Sequence, residues 1–145
     1  MHTIPKTVPA ASIGRAAAMA LVDAARAAAA EIGIEATIAV VDAGGHLKAF
    51  ERADAAPFLT ADVAIDKAWT AVSFGLSTHV WNAILEDGKV SQLAHQPRLV
   101  AVGGGCPIIW EGRVVGGIGI SGGNALQDQR AAEAALAALG FAMPA

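Results

Sequence analysis

The chain contains no tyrosine and a single cysteine, and charged residues make up only 16% of its 145 positions. One cysteine cannot form an internal disulfide, and it is too few for a thiolate zinc centre, which takes several ligands. Cys106 therefore reads as a buried structural thiol. Sparse charge combined with abundant apolar residues excludes a disordered chain. The formal net charge is −3 and no basic run occurs, so the positive footprint of a nucleic-acid binder is missing and nucleic acid is excluded as a partner. Long apolar runs are missing too. Ala16–Leu21 and Ala27–Ala30 are broken up by Arg15, Asp23 and Arg26, leaving no core of signal-peptide or membrane-span length. A cytoplasmic location with no membrane partner is the expectation.

What remains is alanine, glycine and aliphatic residues in ordered patterns. The length suits one domain over residues 1–145, large enough to bury a core without staples. Ile13, Ala17, Leu21, Ala24, Ala28 and Ile32 recur at three- and four-residue intervals, which predicts a helix capped by Ser12 and ended by Gly33. Thr37–Asp42 and Leu47–Arg52 predict a hairpin around Ala43-Gly-Gly-His46. A second helix is expected from Phe58 to Phe74, capped by Thr60, and a short third one from Ser77 or Thr78 to Leu85. Leu99–Val102 reads as a short strand. Ile108–Trp110 and Arg113–Ser121 read as a hairpin, and Asn124 as the cap of a last helix running to about Leu139. Tight turns between strand pairs predict a largely antiparallel sheet in an α/β (α+β) domain.

Several local patterns invite chemistry. Gly117-Ile-Gly-Ile-Ser-Gly122 has dinucleotide-site spacing, but the second strand with its acidic residue is missing, and close helix approach explains the glycines better. Ser121 sits in G-x-S-x-G spacing, without the strand succession of a hydrolase elbow. Ser121, Gly122, Gly123 and Asn124 join a strand to a helix, where free backbone N–H groups can face a carboxylate or propionate. Asp62 and Asp66 lie one helical turn apart and read as a solvated face; no metal centre is expected. Lys67 lies among apolar neighbours on its helix, with Arg52 and Asp54 as candidate partners of an ion pair. His46 in the glycine turn and His79 at the start of the short helix are candidate haem ligands, since neutral imidazole binds iron.

Five segments in order carry a wider resemblance: Ala39-Val-Val-Asp-Ala-Gly-Gly-His-Leu47, Arg52-Ala-Asp-Ala55, Ala64-Ile-Asp-Lys-Ala-Trp-Thr-Ala71, Gly104-Gly-Cys-Pro-Ile108, and Val115-Gly-Gly-Ile-Gly-Ile-Ser-Gly122 with Gln127-Asp128. Together they resemble the GlcG/HbpS-like family, which includes the C-terminal domain of PduO. The resemblance implies a five-stranded antiparallel sheet with helices on both faces, a profilin-like architecture, and assembly into homo-oligomers. It also implies haem binding in some members, and polar positions at Arg52, Asp54, Lys67 and Asp128 beside the Ser121–Asn124 loop.

Three functions follow as expectations. The first is a small-ligand-binding accessory protein whose ligand and cofactor is haem or another tetrapyrrole, with Arg52 or Lys67 on the propionates and a histidine on the iron. The second is a small catabolic isomerase, tautomerase or hydratase acting on a carboxylic acid. There Asp54 or Asp128 moves a proton, Lys67 stabilises an enolate, and Arg52 or the glycine loop holds the carboxylate. The third is a non-catalytic oligomeric scaffold.

Overall fold

The computed structural model describes residues 3–144. Its helices are α1 (Arg15–Ile32), α2 (Leu59–Phe74), α3 (Thr78–Ile84) and α4 (Ala125–Ala138), and its strands are β1 (Thr37–Asp42), β2 (Leu47–Arg52), β3 (Gly105–Trp110) and β4 (Arg113–Ser121). A single 3₁₀ segment, Ser91–His95, interrupts the long connection from α3 to β3. The strands form one antiparallel sheet in the order β2-β1-β4-β3.

Side chains alternate across a strand, so the sheet has two different faces. One carries Ile38, Val40, Cys106, Ile108, Ile118 and Ile120, which pack against Leu21, Val22 and the alanines of α1 and against Ala131, Ala132, Ala135 and Leu136 of α4. On the other face β4 presents Gly117 and Gly119. Ala39 pairs with Gly119 there, and α2 lies directly on it. A Cβ added at Gly119 would stand 2.0 Å from the Ala64 carbonyl oxygen, and one at Gly117 would stand 2.4 Å from that of Ala68. The glycines therefore bring a helix backbone against a strand backbone, as their spacing led us to expect.

Among the described residues the sheet has four strands, not five. The expected strand Leu99–Val102 is irregular chain, because side chains take the hydrogen bonds a ladder would use. The Val100 N–H donates to Thr70 Oγ1 at 3.0 Å, the Ala101 carbonyl accepts from Asn82 Nδ2 at 2.8 Å, and the Val102 carbonyl accepts from Thr78 Oγ1 at 2.6 Å. Three apolar residues in a row are not enough to make a strand when neighbouring helices already satisfy the backbone.

Two expected caps also differ. α1 begins after Gly14 with no side-chain cap; Ser12 Oγ instead accepts the Ala43 N–H at 3.0 Å, tying the lead-in to the β1–β2 turn. α2 begins after Phe58 without a side-chain cap. Its Thr60 hydroxyl meets the Pro57 carbonyl at 2.6 Å and the Thr37 hydroxyl, also at 2.6 Å. Asn124 does cap α4, in a reciprocal capping box with Gln127.

Cys106 is fully buried in the core, as expected, and burial pushes its thiol pKa up to about 12. Native protein should be silent toward Ellman's reagent at neutral pH. One thiol per chain should react only as guanidinium unfolds the protein, along the same curve as the loss of circular dichroism. Full reaction under native conditions would contradict this burial.

Candidate functional site

The candidate polar residues divide between the two ends of the sheet. At one end, Thr37 of β1 stands opposite Arg52 of β2 on one side and opposite Ser121 of β4 on the other. Lys67 of α2 reaches this end as well. Its Nζ donates to the Ile120 carbonyl at 2.9 Å and to Asp128 Oδ2 at 3.2 Å. Both side chains of the pair are only 3% exposed. Lys67 thus spans from the α2 face of the sheet to the first turn of α4 on the opposite face. It passes where β3 has not yet begun. Gly104, at φ 127°, makes room for this, since a Cβ there would lie 2.8 Å from Lys67 Nζ and 2.5 Å from the Ile120 carbonyl oxygen.

The Lys67 partner is therefore Asp128, not Arg52 or Asp54. Arg52 donates to the Ala56 carbonyl at 2.5 Å. Asp54 lines a cavity of about 310 Å³ together with Arg26, Glu35 and Glu51. Burial pushes the Lys67 pKa down, and the Asp128 carboxylate partly opposes that shift. Two N–H groups of the loop Ser121–Asn124 find partners inside the α4 first turn, and the loop's Asn124 accepts in return. The Gly123 N–H donates to Asp128 Oδ1 at 2.8 Å, the Asn124 N–H to Gln127 Oε1 at 2.9 Å, and the Gln127 N–H to Asn124 Oδ1 at 2.8 Å. Asp128 occupies the place where an outside carboxylate was expected. Sequence spacing could suggest a helix-start anion site, but not that the helix supplies its own anion five residues later.

The opposite end of the sheet holds His46. Its side chain is 82% exposed, and its Nδ1 lies 3.3 Å from Asp42 Oδ1. The same oxygen accepts the backbone N–H groups of Gly44 and His46, each at 3.0 Å. Partial burial alone raises the Asp42 pKa, but these two N–H donors and the nearby imidazole outweigh it and the net shift is downward. The carboxylate thus orients the ring from behind and leaves Nε2 facing outward, the arrangement that metal-binding histidines use.

Two residues that sequence reasoning left out complete this surface. Trp69 lies with its indole edge against Gly45, whose added Cβ would stand 2.9 Å from Trp69 Cδ1. Arg98 lies over the Trp69 ring, 4.6 Å from its centroid. Arg98 Nε donates to Asp66 Oδ1 at 2.9 Å, which engages one carboxylate of the face read as solvated. Arg98 also has φ 71°, a conformation that disfavours a long side chain. Thr70 holds it there by donating to the Arg98 carbonyl and accepting from Val100. The residue following proline in Gln96-Pro-Arg98 carried no signal of this in the sequence. His46 and Arg52 stand at opposite ends of β2, roughly 20 Å apart by strand rise, so they do not share one small site.

His79 is half-buried beside a third region, a cavity of about 270 Å³ lined by His79, Asn82, Val102, Gly103, Ala125, Leu126 and Gln129. Among the described residues no cluster of three or more histidine, cysteine or acidic side chains is placed to hold a metal ion. No helix among them is long and apolar enough to cross a membrane.

An α+β domain with four helices and a four-stranded antiparallel sheet, α2 on one face and α1 with α4 on the other, is the class that this architecture defines. Within it the chain belongs to the HbpS-like family: residues 13–137 match the family described as haem degrading protein HbpS-like. An uncharacterised 15.0 kDa protein encoded between dhaT and dhaS in Citrobacter freundii is 38% identical over 129 residues, 87% of this chain and 91% of that one. The corrinoid adenosyltransferase PduO of the same organism is 35% identical over 112 residues, covering 75% of this chain but only 33% of PduO. Among solved structures, a PduOC–haem complex superposes with a TM-score of 0.82 at 29% identity, covering 92% of this chain and 99% of that one.

Proposed function

We propose that this protein binds haem or a related tetrapyrrole at the β1–β2 turn, with His46 Nε2 as the axial ligand. The observation that carries this reading is the Asp42–His46 pair, because an exposed imidazole braced by a carboxylate through Nδ1 is already oriented for iron. The haem complex of a relative supports the choice of ligand. Trp69 offers an aromatic surface beside the turn. Arg98 uses only its Nε on Asp66, so its terminal nitrogens are available to a propionate, a task the sequence assigned to Arg52 or Lys67.

The described cavities run from about 270 to 340 Å³, at the small end for a ligand pocket. A tetrapyrrole therefore lies against an open surface here, and a second copy of the chain supplies the other wall. Apolar side chains at this end are free for such assembly: Leu47 beside the turn and Phe74 at the end of α2 are 49% and 75% exposed.

Titration of metal-free protein with haem should give a saturable Soret shift at stoichiometric haem. His46→Ala should abolish the ligated band and keep the fold. Asp42→Asn should weaken binding about 10- to 100-fold by freeing the ring, and His79→Ala should leave the spectrum intact. A featureless, non-saturating titration would remove the haem reading. A ligated band that survives His46→Ala and disappears in His79→Ala would move the ligand to the other histidine.

A further inference from the structure

The cavity between α3, the 101–103 segment and α4 is separate from the turn that carries His46, and its walls have a distinct chemistry. No lysine, arginine, aspartate or glutamate lines it. Its polar groups are an imidazole and two carboxamides, those of His79, Asn82 and Gln129. Asn82 Nδ2 donates one proton to the Ala101 carbonyl at 2.8 Å, and no hydrogen bond engages its Oδ1 acceptor. His79 Nδ1 is shielded from solvent and has no hydrogen-bond partner. The tautomer with its N–H on Nε2 leaves no orphaned donor there. Gly103 forms part of the floor, where a Cβ would stand 2.9 Å from the Ala125 carbonyl oxygen and 3.4 Å from Gln129 Oε1. Val102 and Leu126, 46% and 52% exposed, make an apolar rim.

We propose that this cavity binds an uncharged primary carboxamide carried on a single flat ring. A carboxylate entering here would meet no lysine or arginine, and an ammonium group would meet no carboxylate. A carboxamide brings one acceptor and two donors, which match the His79 and Gln129 donors and the Asn82 and Gln129 oxygens. The apolar rim covers the ring faces. At about 270 Å³ the space suits one ring with its substituent and excludes a whole tetrapyrrole.

Nicotinamide and nicotinate, which differ only in this group, are the probes. The experiment is a titration of isotope-labelled full chain followed by ¹H–¹⁵N spectra, which report the Asn82 and Gln129 side-chain amides directly. A ligand this small is expected to bind with a Kd of about 1 mM. Nicotinamide should shift both amide signals saturably, and nicotinate should bind at least about tenfold more weakly, one hydrogen-bonded group's worth of discrimination. Gln129→Leu and the near-isosteric Gln129→Glu should each weaken nicotinamide by a similar factor with unchanged melting temperatures, while His46→Ala leaves it intact. Equal binding of the two probes, full binding by both Gln129 variants, or no saturable shift at roughly ten times the expected Kd overturns the proposal. Because His46 is outside this cavity, loss of haem binding and loss of carboxamide binding would be separate results.

Discussion

Gly119→Ala is expected to lower the melting temperature by roughly 10 °C or more, through about 3 kcal/mol of lost stability. The new methyl would lie 2.0 Å from the Ala64 carbonyl oxygen and 2.7 Å from the Ala68 nitrogen. Both obstacles are helix backbone, so no rotamer change relieves them. α2 would have to rise from β4 by more than an ångström, losing dispersion contact along this face and straining the Lys67 reach to Asp128 at the same time. Gly14→Ala is the matched control. Gly14 has φ −83°, and an added Cβ there meets nothing within 4 Å. That change should stay within about 0.5 kcal/mol of the parent. Parallel urea titrations decide the matter: if the two variants unfold at the same midpoint, α2 does not depend on glycine at this position.

The same features explain what could be read in advance and what could not. β1 and β2 were legible to the residue, because a β-branched run, a glycine turn and a second run leave little choice of register. Asn124 was legible as a cap because its partner Gln127 stands three positions on. Leu99–Val102 was misread because its hydrogen-bond partners, Thr70, Thr78 and Asn82, lie 19 to 30 residues away, beyond any local pattern. The same reason hid the candidate site. Asp42 and His46 are four residues apart, and their pairing follows from the turn. Arg98 and Trp69 are joined only by folding, and a left-handed arginine leaves no mark in composition. Lys67 was legible as an anomaly, a charge among apolar neighbours. Its partner was not, because the route to Asp128 runs through the end of the sheet and depends on Gly104 being bare.

Asp128→Asn should be the most destabilising of the polar substitutions, by about 3 kcal/mol or more at neutral pH. It preserves the shape of the α4 first turn and an acceptor for Gly123, but it removes the charge and turns an NH₂ toward Lys67 where Oδ2 had accepted. Lys67 is then a buried ammonium with the Ile120 carbonyl as its one remaining partner. The direction with pH follows from the lysine. Its folded pKa is already below the ordinary value of 10.5 because of burial, and Asp128 is what holds it up. Without Asp128 the folded pKa falls further. A group depressed in this way disfavours folding fully below its folded pKa, and that penalty lifts as pH rises toward the unfolded value. The deficit of Asp128→Asn against the parent should therefore be largest near neutrality and shrink steadily through the alkaline range below 10.5. Lys67→Met with Asp128→Leu removes both charges and should recover most of the lost stability, since a buried pair replaced by apolar groups is often neutral or better. Chemical denaturation of the three variants across that range is the test. A deficit independent of pH, or a double variant as unstable as the single one, would mean that shape rather than charge joins α2 to α4 at this point.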